Sequence, residues 1–133
     1  MNNALNLIGR LLIAALFLPA GLAKLSGFEG TVGYITSVGL PMPAVAAAAA
    51  LALEILGSVA LIVGFQTRIA AAVLAVFTLV ASIFFHTFWT AAPDQAFVQQ
   101  LLFFKNMGVI GGLLVLVSSG AGAWSLDAKK EAQ

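Results

Sequence analysis

Six side chains in this sequence could bind or protonate a ligand, and they lie within or beside long apolar stretches. They are the candidate ligand-binding residues Arg10, Lys24, Glu54, His86, Lys105 and Asn106. An ionised group near the centre of a bilayer costs roughly 2.5–3.5 kcal/mol, so such groups need partners or water. Arginine, lysine and asparagine side chains donate hydrogen bonds, whereas Glu54 can accept or supply a proton. Glu54 is therefore the candidate proton donor or acceptor, and no catalytic residue is assigned.

The composition excludes a water-soluble globule. Hydrophobic residues make up 62% of the 133 residues and charged residues only 8%, where about 25% charged is usual in a soluble domain. The formal net charge of +1 is too small for the basic face that binds nucleic acid. We therefore expect the lipid bilayer, and no nucleic acid, as a partner.

The lack of cysteine limits the redox chemistry that the chain can carry by itself. It excludes disulfides, thiolate nucleophiles, zinc–thiolate sites and cysteine-ligated iron–sulfur clusters. No G-x-G-x-x-G fingerprint for a dinucleotide follows a strand. One histidine cannot supply bis-histidine haem ligation, so His86 with a methionine is the haem arrangement that stays open. We expect no metal site and no intrinsic cofactor.

Four apolar stretches are long enough to cross a bilayer, because about 20 helical residues span its roughly 30 Å hydrocarbon core. They cover approximately residues 5–23, 44–65, 69–89 and 97–119. Residues 1–9 contain no Lys or Arg, which favours a retained first span over a signal peptide. The sequence thus predicts an all-α integral membrane four-helix bundle, a single domain over residues 1–133 in which 120–133 form a cytoplasmic tail.

Basic residues indicate the orientation of the bundle. Four crossings put both termini and the loop between the second and third spans on one side. That side holds the basic residues Arg10, Arg68, Lys129 and Lys130. The other side holds only Lys24. Because Lys and Arg are enriched in cytoplasmic segments, both termini are expected in the cytoplasm.

The loop between the first two spans carries a helical pattern of its own. Ser26 and Glu29 have the spacing of a capping box. Apolar residues then recur at helical intervals at Phe28, Val32 and Ile35. A short amphipathic helix over residues 27–38 is therefore predicted on the outer membrane surface. It is either a lid over the mouth of the bundle or a mere connector.

Helical spacing places the ionisable residues of the four spans on stripes rich in small side chains, which predicts a shared polar interior. At about 1.5 Å per residue, Glu54 and Lys105 lie roughly 15 and 12 Å below the outer end, close enough to pair. The predicted polar column runs from mouth to bottom through Lys24 and His86, then Glu54, Lys105 and Asn106, then Arg10.

Structural roles for the same residues stay open. Arg10 can extend to the cytoplasmic headgroups, and Lys24 and His86 can anchor the outer interface. Glu54 and Lys105 can form an ion pair that only fixes the register of the helices. The polar column is thus either a ligand site or a device that specifies the fold.

Glycines and a proline predict how the spans pack. Gly108 and Gly112 have GxxxG spacing, and Gly57 and Gly64 are seven residues apart. Small residues let helices approach closely in lipid, so these faces predict tight packing within the bundle or contact in a homo-oligomer. Pro19 is expected to bend the outer end of the first span because it removes a backbone hydrogen bond.

The order and spacing of these short pieces resemble the DoxX family of small four-span bacterial membrane proteins. The resemblance covers nearly the whole chain. Its pieces are Gly9-Arg10-Leu11, Gly21-Leu22-Ala23-Lys24, Glu54 with Gly57, Gly64 to Arg68, His86-Thr87-Phe88-Trp89, Lys105-Asn106 with Gly111-Gly112, and Ser125-Leu126-Asp127. It implies a location in the bacterial cytoplasmic membrane and an association with redox chemistry, including quinone-linked oxidation.

Under that resemblance, the first functional hypothesis is a quinone-interacting or accessory subunit of an oxidoreductase assembly, with a soluble or membrane partner that supplies electrons. Quinone carbonyls accept hydrogen bonds, which the basic and amide side chains can donate, and Glu54 can exchange the proton. A stand-alone enzyme is less favoured. The alternatives are a non-catalytic membrane anchor or assembly factor, and an oligomeric conduit for protons or a small solute.

Overall fold

The computed structural model describes residues 2–133 and forms six α-helices. They are α1 (Asn3–Ser26), α2 (Phe28–Ser37), α3 (Pro43–Val63), α4 (Thr67–Phe85), α5 (Pro93–Ser119) and α6 (Leu126–Glu131). The helices α1, α3, α4 and α5 are long and apolar enough to cross a membrane. The predicted all-α membrane bundle with a short helix between its first two spans is confirmed.

The helix ends follow local chemistry. The Asn2 side chain accepts hydrogen bonds from the backbone N–H groups of Ala4 and Leu5, at 3.0 and 3.2 Å, and so caps α1. Pro43 and Pro93 lie in the first turns of α3 and α5, where the missing N–H has no intrahelical acceptor to lose. Helix α5 accordingly begins four residues before the predicted span. Helix α4 ends at Phe85, four residues before its predicted limit.

The start of α2 differs from the predicted capping box. Gly27 is the N-cap and makes no side-chain capping bond. The Ser26 hydroxyl instead donates to the Ala23 carbonyl, at 3.2 Å, within α1. The capping-box prediction is therefore wrong, because α1 extends to Ser26 and this residue belongs to its last turn.

The spanning helices pack as two pairs, α1 with α3 and α4 with α5, which are joined through α3 and α4. A Cβ atom on Gly21 of α1 would lie 2.7 Å from Ile55, and one on Gly57 of α3 would lie 2.9 Å from Leu74. Glycine thus permits the close approach at both crossings. The core between the pairs consists of Phe17, Leu61, Ala71, Leu74, Ala75, Leu113 and Leu116.

The glycines of α5 do not pack in the way their spacing suggests. A Cβ atom on Gly108 would meet nothing within 4 Å, and one on Gly112 would make only an ordinary contact with Ile13 at 3.8 Å. Tight packing within the bundle at this pair is therefore a wrong prediction. A homo-oligomer contact through this face stays a prediction. Helix α1 runs through Pro19 as one helix to Ser26.

The two ends of the bundle are built differently. We call one end the base: the start of α1, the turn between α3 and α4, and residues 120–133. We call the other end the mouth: α2, the loop between α4 and α5, and the parts of the spanning helices between them and the core. Helix α2 packs on α3, and its Tyr34 ring lies 5.0 Å, centroid to centroid, from Phe85 at the end of α4. Helix α2 therefore packs against both helix pairs at the mouth and does not only connect α1 to α3.

The last residues of the chain fold back against the base. The Asn6 side chain donates to the Gly120 carbonyl at 2.8 Å, and the Asn3 side chain accepts from the Ala123 N–H at 3.1 Å. The carboxylate of Asp127 accepts from the N–H groups of Gln66 and Thr67, at 2.7 and 3.0 Å, and so caps α4. Residues 120–133 are thus packed on the bundle, where the sequence suggested only a tail.

Candidate functional site

A cavity of about 820 Å³ lies below α2 and between the two helix pairs. Helices α1 to α5 all contribute to its wall, which is mostly apolar. Five of the six predicted site residues line it: Lys24, Glu54, His86, Lys105 and Asn106. The structure therefore brings together most of the residues that the sequence singled out, at the mouth of the bundle.

The charged centre of the cavity is an ion pair between α1 and α3. The Lys24 Nζ lies 2.9 Å from Glu54 Oε2 and donates a hydrogen bond of 3.1 Å to Oε1. The Glu54 side chain is 7% exposed and that of Lys24 is 27% exposed. The carboxylate is thus held inside the bundle, while the ammonium reaches toward its edge.

The predicted pair of Glu54 with Lys105 is wrong. Gly21 lets α1 approach α3 so closely that its Cβ position lies 3.0 Å from the Cβ of Glu54. Lys24 follows Gly21 by about one helical turn, which places its ammonium at the carboxylate. Lys105 is on α5, which packs on α4 instead.

Asn106 is fixed by a hydroxyl ladder along α4. Its Nδ2 donates to Ser82 Oγ at 3.0 Å, and the Ser82 and Thr78 hydroxyls donate to carbonyls one turn earlier in their own helix, both at 2.7 Å. Asn106 is buried, at 9% exposure. Its Oδ1 accepts no hydrogen bond within residues 2–133, so this oxygen is available to a donor in the cavity.

His86 ends α4 and faces the cavity from the mouth. Its Nδ1 lies 2.9 Å from Oε1 of Gln99 on α5. Because that oxygen accepts, Nδ1 is the donor of this hydrogen bond, which leaves Nε2 for a second hydrogen bond. The ring is thus oriented by a polar partner that the sequence did not indicate.

Lys105 lines the cavity and is exposed. Its ammonium makes no hydrogen bond or ion pair within the described part of the chain. Because Lys105 and Asn106 are successive residues, their side chains point about 100° apart on α5. Asn106 faces α4, and Lys105 is consequently at the edge of the cavity.

Arg10 lies outside the cavity, at the base. It is 1% exposed, and all its hydrogen bonds hold the chain together. The guanidinium donates to Asn6 Oδ1 at 3.0 Å, to the Leu61 and Ile62 carbonyls at 2.8 and 3.3 Å, and to the Trp124 carbonyl at 2.6 Å. The core lies between Arg10 and Glu54, so the polar column does not continue to the base.

Sequence reasoning missed the polar residues that organise the base. Arg68 donates to the carbonyls of Val117 and Ser118 at the end of α5, while Asn6 and Asp127 bind backbone groups as described above. The one local signal was Ser125, which caps α6 by accepting from the Ala128 N–H at 3.1 Å. A residue type typical of an N-cap, three residues before Ala128, predicts such a turn.

No group of three or more His, Asp and Glu side chains in residues 2–133 is placed to hold a metal ion. The candidate site combines an apolar wall with a buried carboxylate, two ammonium groups, an amide and an imidazole.

Comparison with known proteins places the chain among membrane proteins. The model of the DoxX family matches residues 5–87. The inner membrane protein YphA of Escherichia coli is 36% identical over 121 residues, covering 91% of this chain and 86% of that protein. The inner membrane protein YqjF of the same organism is 36% identical over 124 residues, covering 91% and 88%.

A eukaryotic relative shares the same region at lower identity. The Surfeit locus protein 4 homolog of Drosophila melanogaster is 27% identical over 136 residues, covering 98% of this chain but 42% of its own length. No solved structure matches the chain.

Proposed function

The chain belongs to the DoxX family of membrane proteins, and from that premise we propose that it is a multi-pass inner-membrane protein whose cavity binds the head group of a lipoquinone for an oxidoreductase assembly. The observation that carries this proposal is the ion pair between Lys24 and the buried carboxylate of Glu54, on the wall of a mostly apolar cavity of about 820 Å³. Pockets of 300–1,000 Å³ with a few fixed polar groups are typical of small-molecule sites.

The polar groups suit a quinone head. A quinone presents two carbonyl acceptors, and its reduced form presents two hydroxyl donors. Lys24 supplies a donor to these carbonyls, whereas Asn106 Oδ1 and His86 Nε2 can accept from the reduced form. Glu54 is the group able to exchange a proton when the quinone is reduced or oxidised. The alanine-rich wall of α3 leaves room for the isoprenoid chain.

The chain acts in this proposal as an accessory subunit. Its sequence contains no cysteine, so its own side chains offer no thiol relay for electrons. Electrons would come from a soluble or membrane oxidoreductase partner, while this subunit holds the quinone and its proton. We propose that the base faces the cytoplasm, because it carries most of the basic residues.

The experiment is a measurement of bound quinone. The wild type and a Glu54→Gln variant are purified from native membranes in mild detergent, and extracted quinone is quantified by mass spectrometry. The matched control is Glu29→Gln, which removes an exposed carboxylate on α2 outside the cavity. We expect about tenfold less quinone per protein in Glu54→Gln, since one charge-assisted interaction is lost, and wild-type levels in the control.

Two results would contradict the proposal. One is the absence of quinone from the folded wild type in repeated preparations, which would favour a membrane anchor or assembly factor. The other is equal quinone in all three proteins, which would separate quinone binding from this cavity.

A further inference from the structure

Lys105, in the middle of a spanning helix, is a cation without a hydrogen-bond or ion-pair partner among residues 2–133. It lies 12 residues from the start and 14 residues from the end of α5, so roughly 18 and 21 Å of helix separate it from the two ends. The four-carbon stem of lysine is much shorter than either distance. Lys105 therefore cannot reach either end of α5 by extension along the helix, which is the usual solution for a lysine near a helix end.

The charges that line the cavity do not balance. Its wall contains two lysines and one carboxylate, which leave a net charge of +1 without His86. That carboxylate, Glu54, is already paired with Lys24. A charge in a low-dielectric site is retained only where an opposite charge or water compensates it. The excess positive charge is located at Lys105.

Leu16 in α1 and Val80 in α4 line the cavity and are 39% and 47% exposed, so the cavity opens to the side of the bundle. Residues of this kind form part of the surface that acyl chains cover. Along α1 and α5, Gly112 faces Ile13, so in this antiparallel arrangement Lys105 faces the part of α1 nearer the mouth, above the core.

We propose that Lys105 forms a lateral subsite for an anionic amphiphile that enters from the bilayer, its acidic head on the ammonium and its chain along the opening. The shared chemistry is one negatively charged oxygen centre, a carboxylate or a phosphodiester, on an apolar chain. The subsite adjoins the volume that we assign to the quinone, but it does not depend on quinone binding.

The test uses nanodiscs of phosphatidylcholine that contain a minor fraction of phosphatidylglycerol with the same acyl chains. Lipids that remain bound after release are counted by native mass spectrometry. A second arm replaces phosphatidylglycerol by oleate, and a third adds inorganic phosphate to pure phosphatidylcholine discs. The first two arms distinguish a phosphodiester from a carboxylate head, and the third tests a free anion.

The variants isolate the charge of Lys105. We expect one retained anionic lipid per wild-type protein, about tenfold enriched over its share of the disc, and loss of this enrichment in Lys105→Gln. Lys105→Arg keeps the charge and should keep the lipid. Lys130→Gln removes an exposed lysine at the base and should have no effect. Leu16→Trp keeps the ammonium but narrows the opening, and should lower retention.

Equal retention of anionic lipid by the wild type and Lys105→Gln would overturn the proposal, as would an enrichment that disappears in Lys130→Gln instead. Binding of inorganic phosphate with no preference for either amphiphile would also overturn it. Quinone content is measured in the same preparations. Loss of lipid with retained quinone would show that this subsite is distinct from the quinone site. A failure to detect bound anionic lipid would leave the quinone proposal intact.

Discussion

The base and the mouth of this bundle contain the same kinds of charged side chain, but these side chains have different roles in the two regions. At the base, Arg10 binds the last carbonyls of α3 and Arg68 binds the last carbonyls of α5. Asp127 binds the first N–H groups of α4. At the mouth, Glu54 pairs with a side chain, and Lys105 makes no bond within residues 2–133. The charges of Arg10, Arg68 and Asp127 at the base are bound mainly to backbone groups, whereas the charges of Glu54 and Lys105 are bound to a side chain or left open within residues 2–133.

The difference has a physical cause in the helix ends. The last four carbonyls and first four N–H groups of every helix lack intrahelical partners, and in a membrane protein each such group must be satisfied by the protein itself. Cations at a helix C-terminus and an anion at an N-terminus also match the helix dipoles. The base is thus a closed network, and removing one member should cost stability. Removing a member at the mouth should cost binding.

The largest expected loss of stability follows Gly64→Ala at the base. Gly64 has φ of +70° and its Cβ would lie 2.3 Å from the Ser125 Cβ. Backbone strain and overpacking together should lower the free energy of unfolding by about 4 kcal/mol. The matched change at the mouth is Gly33→Ala in α2, where a Cβ meets nothing within 4 Å. It should leave stability unchanged or raise it by roughly 0.5–1 kcal/mol. Thermal unfolding in detergent, followed by circular dichroism, measures both.

Arg10→Met should come next. It leaves buried carbonyls of α3 and of Trp124 without a donor, which should cost about 3 kcal/mol. Arg10→Lys keeps the charge but cannot reproduce the forked geometry of the guanidinium. Its stability should therefore fall between those of the wild type and Arg10→Met. Bound quinone per folded protein should stay at the wild-type level in both variants. Normal stability of Arg10→Met would show that the base is not held by this network.

The same unfolding assay on Glu54→Gln should show a smaller effect, about 1 kcal/mol. The Lys24 side chain is 27% exposed, so its ammonium can turn outward when the carboxylate is lost. The coupling between Lys24→Gln and Glu54→Gln in a double-mutant cycle measures the pair directly. A loss as large as that of Arg10→Met would mean that the mouth pair is as structural as the base.

An effect of similar size is expected at Asp127. Burial alone raises the pKa of this carboxyl, but the hydrogen bonds from Thr67 and Gln66 lower it below its usual value. The charged form therefore stabilises the fold above the unfolded pKa, near 4, and this contribution is lost as the pH falls through the lower folded pKa. Asp127→Asn should cost about 1 kcal/mol at neutral pH and flatten the acid dependence. Asp94→Asn, in the first turn of α5 at the mouth, is the control and should change stability less.

The four spans, the short helix and five cavity residues were predictable from the sequence. Apolar length defines a span, and polar residues on small-residue stripes indicate an interior. Both signals are local, because each can be recognised within the sequence of a single helix. The helix ends were displaced by up to four residues where Pro93 starts α5 early and where α4 ends at Phe85.

The pairing of the helices was not predictable from the stripes of small residues. Depth alone made Lys105 a reasonable partner for Glu54, but the choice depends on the neighbours of α3. Gly21 brings α1 onto α3 and thereby selects Lys24. The position of Arg10 outside the cavity was not predictable for a related reason, since its hydrogen-bond acceptors include Trp124, 114 residues away along the chain. A contact of that kind leaves no periodic signal in the sequence.

The most direct test of the central claim fills the cavity at the mouth without altering its charges. Ala50 of α3 lines the cavity, whereas Ala48 is exposed outside it. Both are changed to Phe, and quinone extracted from the purified proteins is quantified against the wild type. We predict that Ala50→Phe loses most of its quinone while it unfolds at the wild-type temperature, and that Ala48→Phe retains quinone fully. Wild-type quinone content in a folded Ala50→Phe protein would contradict the assignment of the mouth as the ligand site.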